Sequence, residues 1–427
     1  MQNYDVIIVG SGPAGLGAAF HLLEHNPDCR ILIIDKNEYS SGGLRNDCKM
    51  NFSWPVGFSE SVWTEAQAKE SLDHIEQFLN PVIMGKYDIA TYQKRAERLG
   101  ARLLEIRQAH LGTDGGLELI KRLCARLTAA GVDLSLGETV TDIDASASLV
   151  RTTSRELSYK HLIMAPGRSG FGFLQRIMRA NGIPFVDNSI DVGIRIEMQE
   201  QRYPIVKDYY DPKFLFPKKV RTFCTNSRSA HVVQEKYEDE SGIWYSVNGH
   251  AWSDKRPANG LANFAMLKTV NLTQPLASGQ AYARVLGAQA MLLGGGHPIM
   301  QRVGDFRLGR RSTQEGFNGD LYDFKPSLPS CTPGDLGLAV PAKIMRALWS
   351  AMKSLDTIVP GVLHPSTIMY YPEIKTYANK PAFIDESCFM ALPGVYLAGD
   401  GAGTSRGITG AWASGRRVAQ GIVQKRN

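Results

Sequence analysis

What this 427-residue sequence lacks narrows its class first. Its six cysteines (Cys29, Cys48, Cys124, Cys224, Cys331, Cys388) are scattered, and no two form a Cys-x-x-Cys pair. That argues against a redox-active dithiol, a disulfide framework and a structural zinc, and it makes a reducing, cytoplasmic compartment the expectation. No stretch approaches the ~20 apolar residues that span a bilayer. Met1 runs straight into a strand pattern with no basic segment ahead of an apolar one, so neither a membrane span nor a secretory signal is expected. Forty-eight Lys and Arg against 42 Asp and Glu leave a net charge of +6, and no block of five or six like charges occurs. The short basic clusters at Arg310-Arg311, Arg416-Arg417 and Lys425-Arg426 read as solvated faces, and no nucleic-acid partner is expected. No fixed-period repeat and no low-complexity linker is present. Glycine, by contrast, is plentiful at 42 residues, many in doublets, which suits close backbone contact with a ligand.

The glycines concentrate first at the N-terminus. Tyr4-Asp5-Val6-Ile7-Ile8-Val9 has the near-continuous apolar character of a buried parallel strand, and Gly10-Ser11-Gly12-Pro13-Ala14-Gly15 follows it directly. A helix-compatible stretch runs to His25, and a second apolar run, Ile31 to Ile34, ends in Asp35 and Lys36. Each piece has a physical task. Gly10 permits the tight turn, Gly12 lets the backbone approach a pyrophosphate, and Gly15 lets helix and strand pack closely. The helix start offers free N–H groups to phosphate charge. Asp35, 20 residues after Gly15, is placed to accept both ribose hydroxyls of an adenosine. Strand, turn, helix, strand and acid together make this a Rossmann-type dinucleotide site.

The other end of the chain selects the dinucleotide. Val395-Tyr396-Leu397-Ala398 is a short strand closed by Gly399-Asp400, and it leads through a glycine-rich turn to Gly407-Ile408-Thr409, the opening of a last helix. NAD needs no such element. FAD does, with Asp400 on the ribityl chain and the positive helix start near Gly407–Thr409 facing flavin N1 and O2. At this point the chain resembles flavoproteins of the glutathione-reductase structural type, and in particular the FAD-dependent dehydrogenase family related to them. The resemblance runs over nearly the whole chain. It includes Ser41-Gly42-Gly43 with Asp47-Cys48-Lys49, His110-Leu111-Gly112-Thr113-Asp114, Ala165-Pro166-Gly167, Arg221-Thr222-Phe223-Cys224, Val247-Asn248-Gly249 and Ala262-Asn263-Phe264. It implies an FAD site of Gly10, Gly12, Pro13, Ala14, Gly15, Asp35, Lys36, Gly43, Lys49, Val140, Ala165, Gly167, Gly399, Asp400, Gly407, Ile408 and Thr409, with the Val140 backbone near adenine. Three positions depart from the family pattern: Cys48 replaces a glycine, Pro166 a threonine, and Asn226 a second cysteine. The last makes Cys224 a buried apolar residue rather than a redox partner.

The remaining chain is expected to fold as follows. Residues 115–130 carry a helical apolar stripe with Asp114 as N-cap, and 132–136 and 138–144 read as strands. Residues 191–197, 221–225, 231–235, 244–247 and 261–270 read as strands of an antiparallel domain, with helices at 279–293 and 341–355. Gly294-Gly295-Gly296 is a helix terminator, not a phosphate cradle. The fold class is therefore α/β, with a discontinuous Rossmann-like FAD-binding domain (1–50, 101–170 and 387–427) and a helical insertion at 51–100. An α+β substrate domain on a mainly antiparallel sheet occupies 171–386.

The chemistry then points to an FAD-dependent oxidoreductase that transfers hydride to or from a small organic molecule at a C–C or C–N bond. Without a second dinucleotide unit, electrons come from substrate, from transiently bound NAD(P)H or from a redox partner protein. Lys49 is the candidate cation beside the flavin ring. Glu373 and Lys375, two apart on a strand and hence on one face, are either a catalytic pair or a cross-strand charge pair. Arg221, Asn248, Asn263 and Tyr370 are substrate candidates, and the pocket is expected between the flavin and the middle domain. No metal is expected, because His110, His231, His250 and His364 have no companion ligands at useful spacing. The alternatives are an NAD(P)H-dependent flavin monooxygenase and, further off, a non-enzymatic FAD-binding scaffold.

Overall fold

The structure, a computed structural model, describes residues 2–40, 42–239, 242–253, 257–319, 322, 324–376 and 379–425. Ser41 and Arg426, which figured in the sequence motifs, lie outside them. The chain divides into two compact units. One comprises Met1–Ile83, Ile106–Asn188 and Tyr377–Asn427; the other comprises Met84–Glu105 and Ser189–Thr376. Among the described residues no helix is long and apolar enough to cross a membrane.

The first unit is built on β1 (Gln2–Val9), which pairs in parallel with β2 (Ile31–Asp35) on one side and with Glu156–Met164 on the other. Asp133–Leu136 extends the sheet beyond β2, and Val395–Leu397 extends it beyond Glu156–Met164, both in parallel. An apolar residue at nearly every position is what such a sheet requires, since helices cover one face and the Val140–Asp144 and Leu149–Thr152 hairpin covers the other. Val6, Ile8, Ile31 and Ile33 join the core with α1 (Pro13–His25), while Ile7, Val9, Leu32 and Ile34 pack with Val140, Val150 and Leu174. The helix Gly112–Ala129 begins earlier than its stripe implied: its N-cap is Leu111, and Asp114 sits inside the first turn, where its charge meets the positive end of the helix.

Both ends of the chain meet in this unit. The terminal helix, Gly407–Gln424, lies against α1, and a methyl group at Gly415 would run into the Ala14 carbonyl oxygen. α2 (Glu65–Leu79) closes the group, with Phe78 and Trp412 rings 5.4 Å apart and Arg416 Nη2 donating to Glu70 Oε1 at 2.9 Å.

The second unit is one eight-stranded sheet in the order Thr332–Pro333, Ile299–Arg302, Ile368–Thr376, Ile190–Gln199, Leu261–Val270, Val220–Asn226, Lys213–Phe216, Arg102–Leu104. It is antiparallel except for its first pair. Alternation divides its faces. Ile190, Val192, Ile194, Ile196 and Met198 point into a core with the helices Gly279–Leu293 and Ala342–Ile358, leaving Asp191, Arg195 and Glu197 on the opposite face. A hairpin of Ala230–Asp239 and Gly242–Ala251 crosses that charged face, where Ser246 Oγ donates to Pro372 O at 3.2 Å and accepts from Ile374 N at 3.0 Å. Gly294 caps the Gly279–Leu293 helix, and Gly295 and Gly296 take positive φ, so this glycine run does end a helix.

These units redraw the expected boundaries. The stretch 51–100 is not a single insertion: α2 packs in the first unit, whereas Ala90–Arg98 and the strand Arg102–Leu104 belong to the second, where Arg95 Nη1 donates to Ile358 O at 3.1 Å. Residues 171–188 belong to the first unit, because Leu174, Ile177 and Met178 fill its core and Phe185–Val186 pairs with Lys380–Pro381. The contact at Gly415 generates a test. Gly415→Ala should force the terminal helix off α1 and lower stability by roughly 2 kcal/mol, read as a reduced midpoint in thermal or urea unfolding; an unchanged midpoint would show that the helices have room to spare.

Candidate functional site

The carboxyl ends of the parallel strands in the first unit form one ledge. Gly10 N donates to Ile34 O at 2.8 Å, Ala165 N to Val9 O at 2.8 Å, and Ala398 N to Met164 O at 3.0 Å. β1 and Glu156–Met164 are the pair from which successive connections leave in opposite directions, and it is outside such a switch that open parallel sheets bind ligands. At that point Gly10 has φ +110, and any side chain on it would collide with the Ala165 carbonyl. Gly15 is equally closed, against the Gly10 carbonyl.

Gly12 is different. A methyl group there would meet nothing closer than Ser40 Oγ at 3.6 Å, and Gly12 caps α1 with no side-chain hydrogen bond. Gly167 and Gly407 have no atom within 4 Å of that position, and the nearest to Gly43 is Ile408 Cγ1 at 3.7 Å. The terminal helix likewise starts without a cap bond from its own N-cap residue, Arg406, and its first N–H, on Gly407, is taken by the Asp400 carboxylate. Glycines packed on their inner side, glycines open on their outer side, and a start of α1 with no side-chain cap are features that suit a long anionic ligand. A dinucleotide with a ring system beyond its pyrophosphate fits that donor set.

The acids stand where the sequence put them. Asp35, at the end of β2, accepts from Ser11 N and Ser11 Oγ, both at 2.8 Å, and from Asn37 N at 2.9 Å, so its carboxylate is held in place. Lys36 beside it is exposed, and Pro13 and Ala14 form the first turn of α1. Val140 is buried in the adjoining hairpin. Asp400 follows Val395–Leu397 directly, accepting from Ser405 Oγ and Gly407 N, both at 3.0 Å. Burial raises its pKa above the ordinary carboxylate value, against the opposing pull of Arg168. Thr409 Oγ1 donates to Asn51 O at 2.6 Å, which ties the terminal helix start to β3 (Lys49–Asn51).

β3 carries a feature that residue spacing could not disclose. It pairs with Gln108–His110, setting Lys49 opposite His110, and both reach the same carboxylate: Lys49 Nζ is 3.1 Å from Asp47 Oδ2 and His110 Nε2 is 2.9 Å from Asp47 Oδ1. Asp47 N also donates to Thr113 Oγ1 at 3.2 Å. Burial alone would raise the Asp47 carboxyl, but the Lys49 charge and the His110 hydrogen bond outweigh it and hold the group well below the usual range. Asp47 and Cys48 both take positive φ, so Cys48 does adopt the backbone that suits the family's glycine. Burial pushes its thiol up to about 12, which keeps it a neutral thiol.

The remaining candidates all lie in the second unit. Arg195, fully buried, donates through Nε and Nη2 to Glu373 at 2.7 and 2.8 Å and through Nη1 to Asn263 Oδ1 at 2.7 Å. Lys375 Nζ lies 3.5 Å from Glu373 and 3.2 Å from Glu235, and Asn248 Nδ2 reaches Glu235 at 3.4 Å. Asn248, Asn263, Glu373 and Lys375 thus form one charge network, and it includes the cross-strand pairing expected as one reading of Glu373 and Lys375. Asn263 Nδ2 is buried without a hydrogen-bond partner. Tyr370 is set apart, its hydroxyl donating to Glu197 at 2.6 Å, and Arg221 pairs with Asp191 at 2.5 Å. Sequence reasoning missed Asp47, His110, Arg195, Glu197 and Glu235. For Arg195 and Glu197 the signal was present, in the alternation Asp191-Val192-Gly193-Ile194-Arg195-Ile196-Glu197.

The chain is similar to several known proteins. A protein from Clostridium beijerinckii, itself described only as uncharacterised, is 23% identical over 461 aligned residues, covering 98% of this chain and 80% of its own. A thiamine thiazole synthase from Aeropyrum pernix is 39% identical over 102 residues, 24% of this chain and 33% of its own. Among solved structures, L-proline dehydrogenase from P. horikoshii superimposes with a TM-score of 0.47 at 11% identity, covering 99% of this chain and 94% of its own. Residues 4–191 match the family model described as Pyridine nucleotide-disulphide oxidoreductase. That match covers the part of the chain that carries the Gly10–Gly15 turn and Asp35, which is to that extent similar to the family.

Proposed function

We propose that this chain binds FAD and acts as an FAD-dependent oxidoreductase, moving a hydride between the flavin and a small organic substrate at a C–C or C–N bond. The observation that carries the reading is the meeting, on one ledge of the first unit, of the Gly10–Gly15 turn and the Gly399-Asp400 turn from opposite ends of the chain. Bound FAD would supply the hydride acceptor. The protein's residues do the rest. The N–H groups at the start of α1 take the pyrophosphate, Asp35 the adenosine ribose, and Asp400 the ribityl hydroxyls. The positive start of the terminal helix, at Gly407, Ile408 and Thr409, would face the negative charge of a reduced ring, with Gly407 N held by Asp400. Gly43 and Lys49 border that helix start, through the Gly43–Ile408 approach and the Thr409–Asn51 bond. Asp47 and His110 position the Lys49 ammonium, and its charge serves to orient a substrate carboxylate or stabilise the reduced ring.

On the substrate side, the proposal assigns Asn248, Asn263, Glu373 and Lys375 to recognition, with Arg221 and Tyr370 as flanking groups. The support is the orphaned Asn263 Nδ2, a buried donor with room in its chemistry for one acceptor. The network also implies that Glu373 and Lys375 work through placement of charge, since Arg195 already occupies both Glu373 oxygens.

Purified protein reduced anaerobically with candidate amines, amino acids and hydroxy acids should bleach its flavin band. NADPH or NADH alone should do so slowly, and rapid saturable bleaching by either would contradict this reading. Asp35→Ala should weaken FAD binding by about 1.5–3 kcal/mol, the loss of a charged acceptor, as measured by flavin fluorescence titration. Lys49→Met should retain FAD while slowing reduction by substrate, measured by stopped-flow absorbance. Asp47→Asn should cost on the order of 3 kcal/mol in unfolding free energy, because a buried pair loses its anion. Since Asp47 is held below its unfolded value of about 3.9, its stabilisation is complete above that pH and is lost as pH falls beneath it. Wild-type stability should therefore drop more steeply than that of Asp47→Asn on acidification from about pH 5 to pH 2.

A further inference from the structure

The last turn of α1 carries His21, Glu24 and His25, spaced so that all three share one face of the helix. One ligand atom from each lies within 4.8 Å of the other two. Glu24 Oε2 is 3.8 Å from His21 Nδ1 and 4.0 Å from His25 Nδ1, and the latter also donates to His21 O at 3.1 Å, a bond that a metal bound through this nitrogen would replace. Ligands of a tetrahedral zinc-class ion at bonds of about 2.0–2.1 Å stand roughly 3.3 Å apart, so small side-chain rotations would bring the three into register.

Two further observations single this cluster out. His21 is only 5% exposed and its Nδ1 has no hydrogen-bond partner, an expense a buried imidazole ordinarily avoids. Finally, α1 ends at His25, and the carbonyl end of a helix favours a cation. Glu24 and His25 are 54% and 45% exposed, which leaves an open approach from solvent.

We propose that His21, Glu24 and His25 form a site for one borderline divalent cation of the zinc class, with solvent in the fourth position. Two imidazoles one helical turn apart with a carboxylate between them form a nitrogen and oxygen donor set that zinc, cobalt and nickel favour over calcium or magnesium. The site fastens the end of α1, and nothing in it depends on the FAD reading.

The test uses the full purified chain, stripped with chelator and titrated with Co²⁺, and with Zn²⁺ in competition. One Co²⁺ per chain should bind and give visible ligand-field bands, Zn²⁺ should abolish them, and the thermal midpoint should rise with Zn²⁺. His25→Ala should weaken Co²⁺ binding by at least about tenfold, and Glu24→Gln should weaken it less. Because His25 is exposed, its variant should fold normally, which circular dichroism checks; His21→Ala then adds a buried-ligand variant. A His231→Ala/His250→Ala control should bind as wild type. No stoichiometric uptake, binding only at millimolar metal, or wild-type affinity in folded His25→Ala would overturn the proposal.

Discussion

The first unit depends on how closely its terminal helix approaches α1. Side chains are absent where the two helices touch, at Gly17 and Gly415, because a methyl group at either would strike backbone on the other helix. The approach has a consequence far beyond packing. The strand Val395–Leu397 is joined to that helix by only a short turn, so drawing the helix onto α1 also draws Asp400 to the ledge where β1 ends. The α1 start, which has no side-chain cap, and the terminal helix start, whose Gly407 N is bonded to Asp400, then both have open glycine faces beside them. One steric constraint thereby brings together the two glycine turns, from residues nearly 400 positions apart.

The second unit solves a different problem, that of a sheet with charge on one face. Arg195, Glu197 and Glu373 are fully buried, which is tolerable only because each is multiply bonded. Glu197 shows the tension: burial raises its pKa, and bonds from Ser327 and Tyr370 oppose that rise. Removing any one partner leaves a stranded charge or donor, so the arrangement is rigid in a way an apolar face would not be. Rigid placement of polar groups is what recognition of a small polar substrate requires.

How far the sequence revealed this depends on whether a signal is local. The Gly10–Gly15 turn with Asp35 is a contiguous pattern, each residue constrained by its immediate neighbours, and it could be read directly. So could the strands of the second unit, whose apolar and polar residues alternate. The Asp47–His110 contact could not, since it depends on the pairing of two three-residue strands with 56 residues between them. The helix Phe171–Ala180 was assigned to the wrong unit because an apolar stripe of Leu174, Ile177 and Met178 declares burial without naming the sheet it covers. Likewise His21 and His25 were passed over. Their spacing was visible, but the unpartnered Nδ1 that marks them arises only when α1 packs in place.

The central claim is that the two glycine turns form a single FAD cradle, and flavin stoichiometry tests it most directly. The purified chain, denatured to release bound cofactor and analysed by chromatography against FAD, FMN and NAD standards, should yield one FAD per chain. Any chain isolated without cofactor should take up FAD to the same limit. A chain that releases no flavin and does not bind added FAD would contradict the account, as would one that binds FMN in its place.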